Sequence, residues 1–307
     1  MSQRLQFSII MPTFERGKVF EQSINAAIEV INDFDAEIIV INDSKKTKIV
    51  LNNNNPKVKI LVNPKSGVAS ARNLGARLAE ADLLIFVDDD ILINKHTLER
   101  TIELYKNNND RCYNPNWIYP PDLDKKIRKT QFGRYLIQNG FTSLQGWNKG
   151  VKWDTAKAFE VNLVASYFLP IYKSSFNKIN GYNEDFPHAG AEDHDFANRL
   201  KQSGIKAFID PNFMVYHNEA DRVYLNDWLN RKMRSGQTRK MAADLGYDET
   251  KIEHSALKSA LLILIFKTKS IFRFILKSIP NYKTFDPVYF KIVNILLATY
   301  LLEGYRK

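Results

Sequence analysis

Four short apolar runs punctuate the first third of the chain: Phe7–Met11, Glu37–Ile41, Val58–Val62 and Leu83–Val87. All four predict strands, and those at Phe7–Met11, Glu37–Ile41 and Leu83–Val87 read as buried. A turn at Asn52–Asn55 is expected just before the third. Between the first two runs, Ile24, Ala27, Ile28 and Ile31 recur at helical spacing. A second helix is predicted over 67–80, where Val68, Ala71, Leu74, Ala76 and Leu78 mark an apolar face with Arg72, Asn73 and Arg77 beside it. Such alternation predicts an α/β fold with a parallel sheet and helices on both faces. Further on, 161–169 reads as strand and 192–203 as helix, while 107–158, rich in Asn, Pro and Gly, reads as irregular. No internal repeat or low-complexity linker is visible.

Ligands of open parallel sheets bind beyond the carboxyl ends of the strands. Pro12–Arg16, Asn42–Ser44 and Asp88–Asp90 fall at those ends, so three separated segments are expected to meet in one cleft. Asp88, Asp89 and Asp90 follow a buried strand directly, and three adjacent carboxylates repel one another unless they reach solvent or a cation. In extended backbone, residues i and i+2 point the same way, which would aim Asp88 and Asp90 at one hard cation such as magnesium or manganese. The other reading is a solvated acidic turn with one Asp capping the next helix.

Four segments together resemble an inverting GT-A glycosyltransferase of family 2: FSIIMPTFER at 7–16, EIIVINDS at 37–44, GVASARNLGA through LLIFVDDD at 67–90, and GYNEDFPHAGAEDHDFANRLKQSG at 181–204. Their order and spacing match across roughly the first 220 residues. The resemblance implies a Rossmann-like, mostly parallel sheet flanked by helices. It divides the chain into a nucleotide-sugar half at 1–106, an acceptor and catalytic half at 107–220, and a helical extension at 221–307. It implies Mn2+ or Mg2+ on Asp88 and Asp90, with His217 as a further ligand that favours manganese. Pro12, Thr13 and Glu15 would lie along the base and ribose, Asp43 would bond the base, Arg72 would sit near the phosphates, and Asp89 would reach the ribose or donor sugar. In the family's ED motif the Asp is the general base, which implies Asp193, with Glu192 as second candidate. Gly190 would let backbone approach the substrate. Each has a plainer reading: His217 as a packed side chain, Arg72 as a surface residue paired with Glu80 or Asp82, and the acids at 192–195 as helix caps.

Two departures bear on function. Asn42 stands where the family more often has the first Asp of DDGS or DDAS. The QxxRW motif of processive polymerases is missing, its nearest counterpart being Gln237-Thr-Arg-Lys-Met. The expected activity is therefore a single transfer, from a UDP-sugar before other donors, to a glycan or lipid-linked acceptor in cell-surface polysaccharide synthesis. Trp117, Tyr119, Trp147 and Trp153 could stack on a sugar ring or lipid, or pin a long loop. A catalytically silent glycan-binding or scaffold protein is the contrasting reading; the presence of Asp88, Asp90 and Asp193 argues against it. A nucleotidyltransferase would want a glycine-rich basic loop after the first strand, and PTFERGK has one glycine.

Composition adds location. Hydrophobic content of 44% and charged content of 25% are ordinary for a globular chain. The single cysteine, Cys112, allows no internal disulfide and reads as an inert thiol in a reducing compartment. Arg4 and Gln6 lead straight into a strand, so no secretory signal is expected and the protein is read as cytoplasmic, at the inner face of the membrane. The net charge of +10 is uneven. Between Glu253 and Asp286 there is no acid, but Lys258, Lys267, Lys269, Arg273, Lys277 and Lys283 alternate with long aliphatics. That pattern predicts contact with an anionic membrane surface, without the run of about 20 apolar residues a span needs. Packing on the protein's own core or a homodimer contact would look the same. No nucleic-acid motif is present, and nucleic acid is not an expected partner.

Overall fold

The computed structural model describes residues 5–51, 55–106, 110–148, 150–154, 156–186 and 188–307; most of the turn expected at 52–55 lies outside them. The chain opens with β1 (Phe7–Thr13), α1 (Lys18–Ile31), β2 (Ala36–Asn42), β3 (Val58–Val62), α2 (Val68–Leu78), β4 (Leu83–Val87), β5 (Ile91–Leu92) and α3 (Lys95–Tyr105). It continues through β6 (Arg111–Ile118), α4 (Pro121–Ile127), α5 (Gln131–Gln138), α6 (Leu144–Trp147), β7 (Phe159–Val161), β8 (Phe168–Tyr172) and α7 (Lys173–Lys178). The last elements are α8 (Glu192–Gln202), β9 (Lys206–His217), α9 (Leu225–Asp244), α10 (Ala256–Lys267), α11 (Lys269–Ser278) and α12 (Asp286–Tyr305). They form two compact units, one of Met1–Tyr119, Gly150–Asp185 and Glu192–Asn218, the other of Pro120–Lys149, Phe186–Ala191 and Glu219–Lys307.

The first unit carries a sheet in the order β3-β2-β1-β4-β8, parallel except for β8. Every residue of β1, β2 and β4 is buried, as their unbroken apolar runs require. Helix α2 packs on β1 and β2. Its approach depends on Gly75, where a Cβ would overlap Ile10 Cγ2. Ala71 and Ala76 of the face expected for α2 are buried, but so are Arg72 and Asn73 beside it, and Leu78 is exposed. Asn73 explains half of this, because its amide donates to the Tyr182 carbonyl and accepts from the Tyr182 N–H, both at 2.9 Å.

A second sheet, β5-β9-β6 with β7 also on β9, completes this unit. It corrects the reading of 107–158 as irregular, since β6 is an ordered strand and α4 to α6 are helices. Pro115 is tolerated because β6 is an edge strand whose register shifts between Pro115 and Asn116. The strand expected over 161–169 is two strands with a gap. Within the gap Ala165 N–H donates to Asn114 and Ser166 N–H to Asp193, while the Tyr167 carbonyl accepts from Asp88 N–H. Those backbone groups are satisfied by site residues instead of a ladder.

The second unit is helical. Helices α9 and α12 cross at Gly236 and Gly304, where an added Cβ at either position would overlap backbone of the other helix. Trp228, Tyr135, Phe290, Val293, Leu296 and Tyr300 form its core, and Arg134 holds Asp286 at 2.6 Å. The basic segment after Glu253 folds as two helices, α10 and α11, both on α12. Contrary to the expectation of short apolar runs, Lys283–Tyr305 is long and apolar enough to cross a bilayer. Here its residues Tyr289, Val293, Leu296 and Tyr300 lie buried in the unit's core.

Candidate active site

The carboxyl ends of β1, β2 and β4 gather the expected residues, but not in the expected geometry. Asp88 to Ile91 is a turn, closed by the Ile91 N–H donating to the Asp88 carbonyl at 3.1 Å. Asp89 and Asp90 are its middle residues, so the extended-chain argument that aims Asp88 and Asp90 the same way does not hold. Asp88 has a partner of its own, while Asp89 and Asp90 share Arg16. Asp88, 32% exposed, accepts from Arg72 Nη2 at 2.8 Å. Asp89 accepts from Thr13 Oγ1 at 2.6 Å and lies 3.4 Å from Arg16 Nη1. Asp90 accepts from Arg16 Nη2 at 2.9 Å. Burial pushes the pKa of Asp89 up to about 7, with Arg16 opposing the rise and Asp90 adding to it.

His217 ends β9 directly opposite Ile91 in the ladder, which brings its Nε2 to 3.3 Å from Asp90 Oδ1. The Trp117 ring meets the imidazole edge-on at 4.8 Å, and Tyr119 lies beyond. Two ligand atoms each about 2.1 Å from one cation and at right angles stand about 3 Å apart. One carboxylate oxygen and one imidazole nitrogen at this separation fit a divalent transition metal.

Arg72 is the organising cation. Its Nη1 donates to Glu192 Oε1 at 3.1 Å and lies 3.9 Å from Asp193 Oδ1, while Nη2 holds Asp88. Its guanidinium also sits 5.1 Å over the Tyr182 ring. Burial opposes its charge, but Asp88, Tyr182, Asp193 and Glu192 outweigh this and raise its pKa above the ordinary value. The reading of Arg72 as a surface residue paired with Glu80 or Asp82 is overturned by this burial. Glu192 and Asp193 open α8, and they differ in access: the Glu192 side chain is 2% exposed and that of Asp193 25%. Ser166 donates to both oxygens of Asp193, through N–H to Oδ2 at 3.1 Å and through Oγ to Oδ1. Ser166 Oγ is in turn 2.6 Å from the Tyr182 hydroxyl. Burial raises the pKa of Asp193 despite Arg72 and Ser166.

A cleft of about 270 Å³ lies beside the acids, lined by Thr13, Glu15, Arg16, Asn42, Thr47 and Ile49 among others. Pro12 is buried in β1 opposite Ile41. Glu15 holds a left-handed backbone, φ 51°, and accepts from Ser44 Oγ at 2.9 Å. Asp43 is turned toward its own chain, accepting from Gly67 N–H at 3.0 Å and Asn63 Nδ2 at 2.7 Å. Gly190 belongs to the second unit, where Thr238 leaves no room for a Cβ. Sequence reasoning placed Arg16 in the cleft without a role and offered Trp117 and Tyr119 for stacking on a sugar or lipid, not beside His217; it missed Ser166, which nothing local marked.

A family model described as glycosyl transferase family 2 matches residues 8–168, and one described as the N-terminal domain of galactosyltransferase matches 162–219. An uncharacterized glycosyltransferase of Haemophilus influenzae is 24% identical over 212 residues, covering 68% of this chain and 64% of that protein. The poly(ribitol-phosphate) beta-N-acetylglucosaminyltransferase TarP of Staphylococcus aureus is 33% identical over 109 residues, 33% of each chain. The chain thus spans less than two-thirds of the length of either relative. Among solved structures, the mannosyltransferase PcManGT from Pyrobaculum calidifontis, in complex with GDP-Man and Mn2+, superposes with a TM-score of 0.55 at 14% identity, covering 100% of this chain and 89% of that one. That likeness shows the GT-A fold.

Proposed function

Because the chain belongs to glycosyl transferase family 2, we propose that it transfers a sugar with inversion from a nucleotide-diphosphate sugar, a UDP-sugar in first place, to a glycan or lipid-linked acceptor of a cell-surface polysaccharide. The observation that carries this reading is Arg72. One buried side chain ties Asp88, at the end of β4, to Glu192 and lies beside Asp193 at the start of α8. Donor-side and acceptor-side carboxylates are thereby held by a single rigid cation.

The residues divide the work as follows. Thr13, Glu15 and Asn42 line the cleft for the nucleotide, with Pro12 fixing the strand end behind them. Asp43 shapes the wall by anchoring Gly67 and Asn63. Asp89, bonded to Thr13, reaches toward ribose or donor sugar. Asp90 and His217 would hold a divalent cation, while Asp88 stays on Arg72. The imidazole favours manganese over magnesium, and PcManGT was solved with Mn2+. Such an ion supplies Lewis-acid neutralisation of the departing diphosphate. Asp193 takes the proton of the attacking acceptor hydroxyl. Its raised pKa makes it a better base than an ordinary aspartate, and Ser166 fixes its orientation. Glu192, buried against Arg72, positions that arginine and is not itself the base.

The test is a panel of UDP-, GDP- and dTDP-sugars, read by thermal shift and by sugar release with Mn2+ and after chelation. A ligand at 100 times its Kd stabilises the folded state by about 2.7 kcal/mol, which is readily detected. Stabilisation by one nucleotide sugar, with turnover lost on chelation, is expected. Turnover that survives chelation would refute the metal, and no response to any nucleotide sugar would refute the transferase reading.

A further inference from the structure

We propose that α10 and α11 form a docking face for the surface of an anionic lipid bilayer. A surface helix usually turns its apolar stripe inward. These two also turn one outward. On α10, Leu257, Leu261 and Leu264 stand at i, i+4 and i+7, with Leu257 83% exposed. On α11, Ile271, Phe274 and Ile275 stand at i, i+3 and i+4, with Phe274 72% exposed. Only Leu262 and Leu276 of the two helices are fully buried. At 100° per residue the α10 leucines lie within about 60° of one another, with Lys258 and Lys267 flanking them on either side.

Charge decides the occupant. There is no acid from His254 to Phe285, so a second copy would set six basic residues against six. An anionic bilayer accepts both the lysines and the leucines, the former among phosphates and the latter among acyl chains. On α11, Lys277 flanks Phe274 at about 60°, at 100° per residue, whereas Arg273 is turned inward and donates to the buried Tyr300 hydroxyl. This inference goes beyond glycosyl transfer and is read without activity, so either conclusion can fail alone.

The experiment is vesicle flotation of the full chain. Vesicles of phosphatidylcholine alone are compared with vesicles that also carry phosphatidylglycerol, at low and high salt. Binding is expected only to the anionic vesicles and should fall with salt. Lys258→Gln and Lys277→Gln should each weaken it about fivefold. Leu261→Asp and Phe274→Asp should each weaken it about tenfold or more, with the unfolding midpoint unchanged because both side chains face solvent. Absence of binding to anionic vesicles at low salt, or variants that bind like the parent chain, overturns the proposal. A dimer in light scattering that Leu261→Asp splits, without vesicle binding, would overturn it in favour of a second copy.

Discussion

Replacing Arg72 with Met tests the centre of the site. The Arg72 and Glu192 side chains are 3% and 2% exposed, and removing one partner leaves the other charge buried without its cation. Loss of one member of a buried pair costs about 3–5 kcal/mol. The Asp88 arm adds little, about 0–1 kcal/mol, since a third of that carboxylate already meets water. A deficit near 4 kcal/mol lowers the unfolding midpoint by about 8–16 °C at about 2–4 °C per kcal/mol. The sign with pH follows from linkage. In the variant the buried Glu192 has a folded-state pKa raised above its unfolded value, so the folded state binds that proton first. The deficit is then largest at pH above the raised pKa and shrinks as pH falls toward the ordinary carboxylate range. Adding Glu192→Gln should restore much of the loss, giving a coupling of at least about 2 kcal/mol in a double-mutant cycle. Urea denaturation followed by tryptophan fluorescence measures all four proteins. An Arg72→Met variant within about 1 kcal/mol of the parent, or a deficit that does not change with pH, would refute the reasoning.

Asp193→Asn should leave donor binding unchanged while transfer falls by about 10²–10⁴, measured as kcat against donor Kd. In the parent enzyme the acid limb of the kcat/KM profile should lie above the ordinary aspartate value of about 3.9, because burial raises the pKa of Asp193. Asp90→Asn and His217→Ala should each abolish stabilisation by Mn2+ in a thermal shift and leave the metal-free fold intact; retained stabilisation would move the ion elsewhere. Gly304→Ala should cost about 1–3 kcal/mol or more by forcing a methyl onto the Met233 carbonyl, seen as a lower midpoint for the helical unit.

The buried strands and the acidic clusters could be read locally; the regular elements within 107–158 and the turn at Asp88–Ile91 could not. β1, β2 and β4 are legible because a strand covered on both faces must be apolar throughout, and Phe7–Met11 and Leu83–Val87 have no other use. The acids at 88–90 and 192–193 are legible because adjacent carboxylates are conspicuous. Relations made through space were not legible. Helical period set Arg72 and Asn73 only beside the apolar face, whereas Tyr182, Glu184 and Glu192, more than 100 residues later, hold them inside. The strand expected over 161–169 fails for the same reason, since its backbone donors serve Asn114 and Asp193.

The DDD turn shows most plainly what one-dimensional reasoning lacks. Spacing alone assigns Asp88 and Asp90 to one ion as equals. The Asp88–Ile91 turn instead sets Asp88 on Arg72, Asp89 on Thr13 and Asp90 on Arg16, which also lies beside Asp89. Three like charges in sequence are thus kept apart by three partners drawn from α2, β1 and the segment after β1. Asp90, not Asp88, is the acid brought against His217, and it is there because β5 pairs with β9 immediately after the turn. The ladder that sets this pair is two residues long on one side. A Pro at Ile91 would remove the N–H that closes the turn onto the Asp88 carbonyl and should separate Asp90 from His217 while sparing the sheet of β1, β2 and β4.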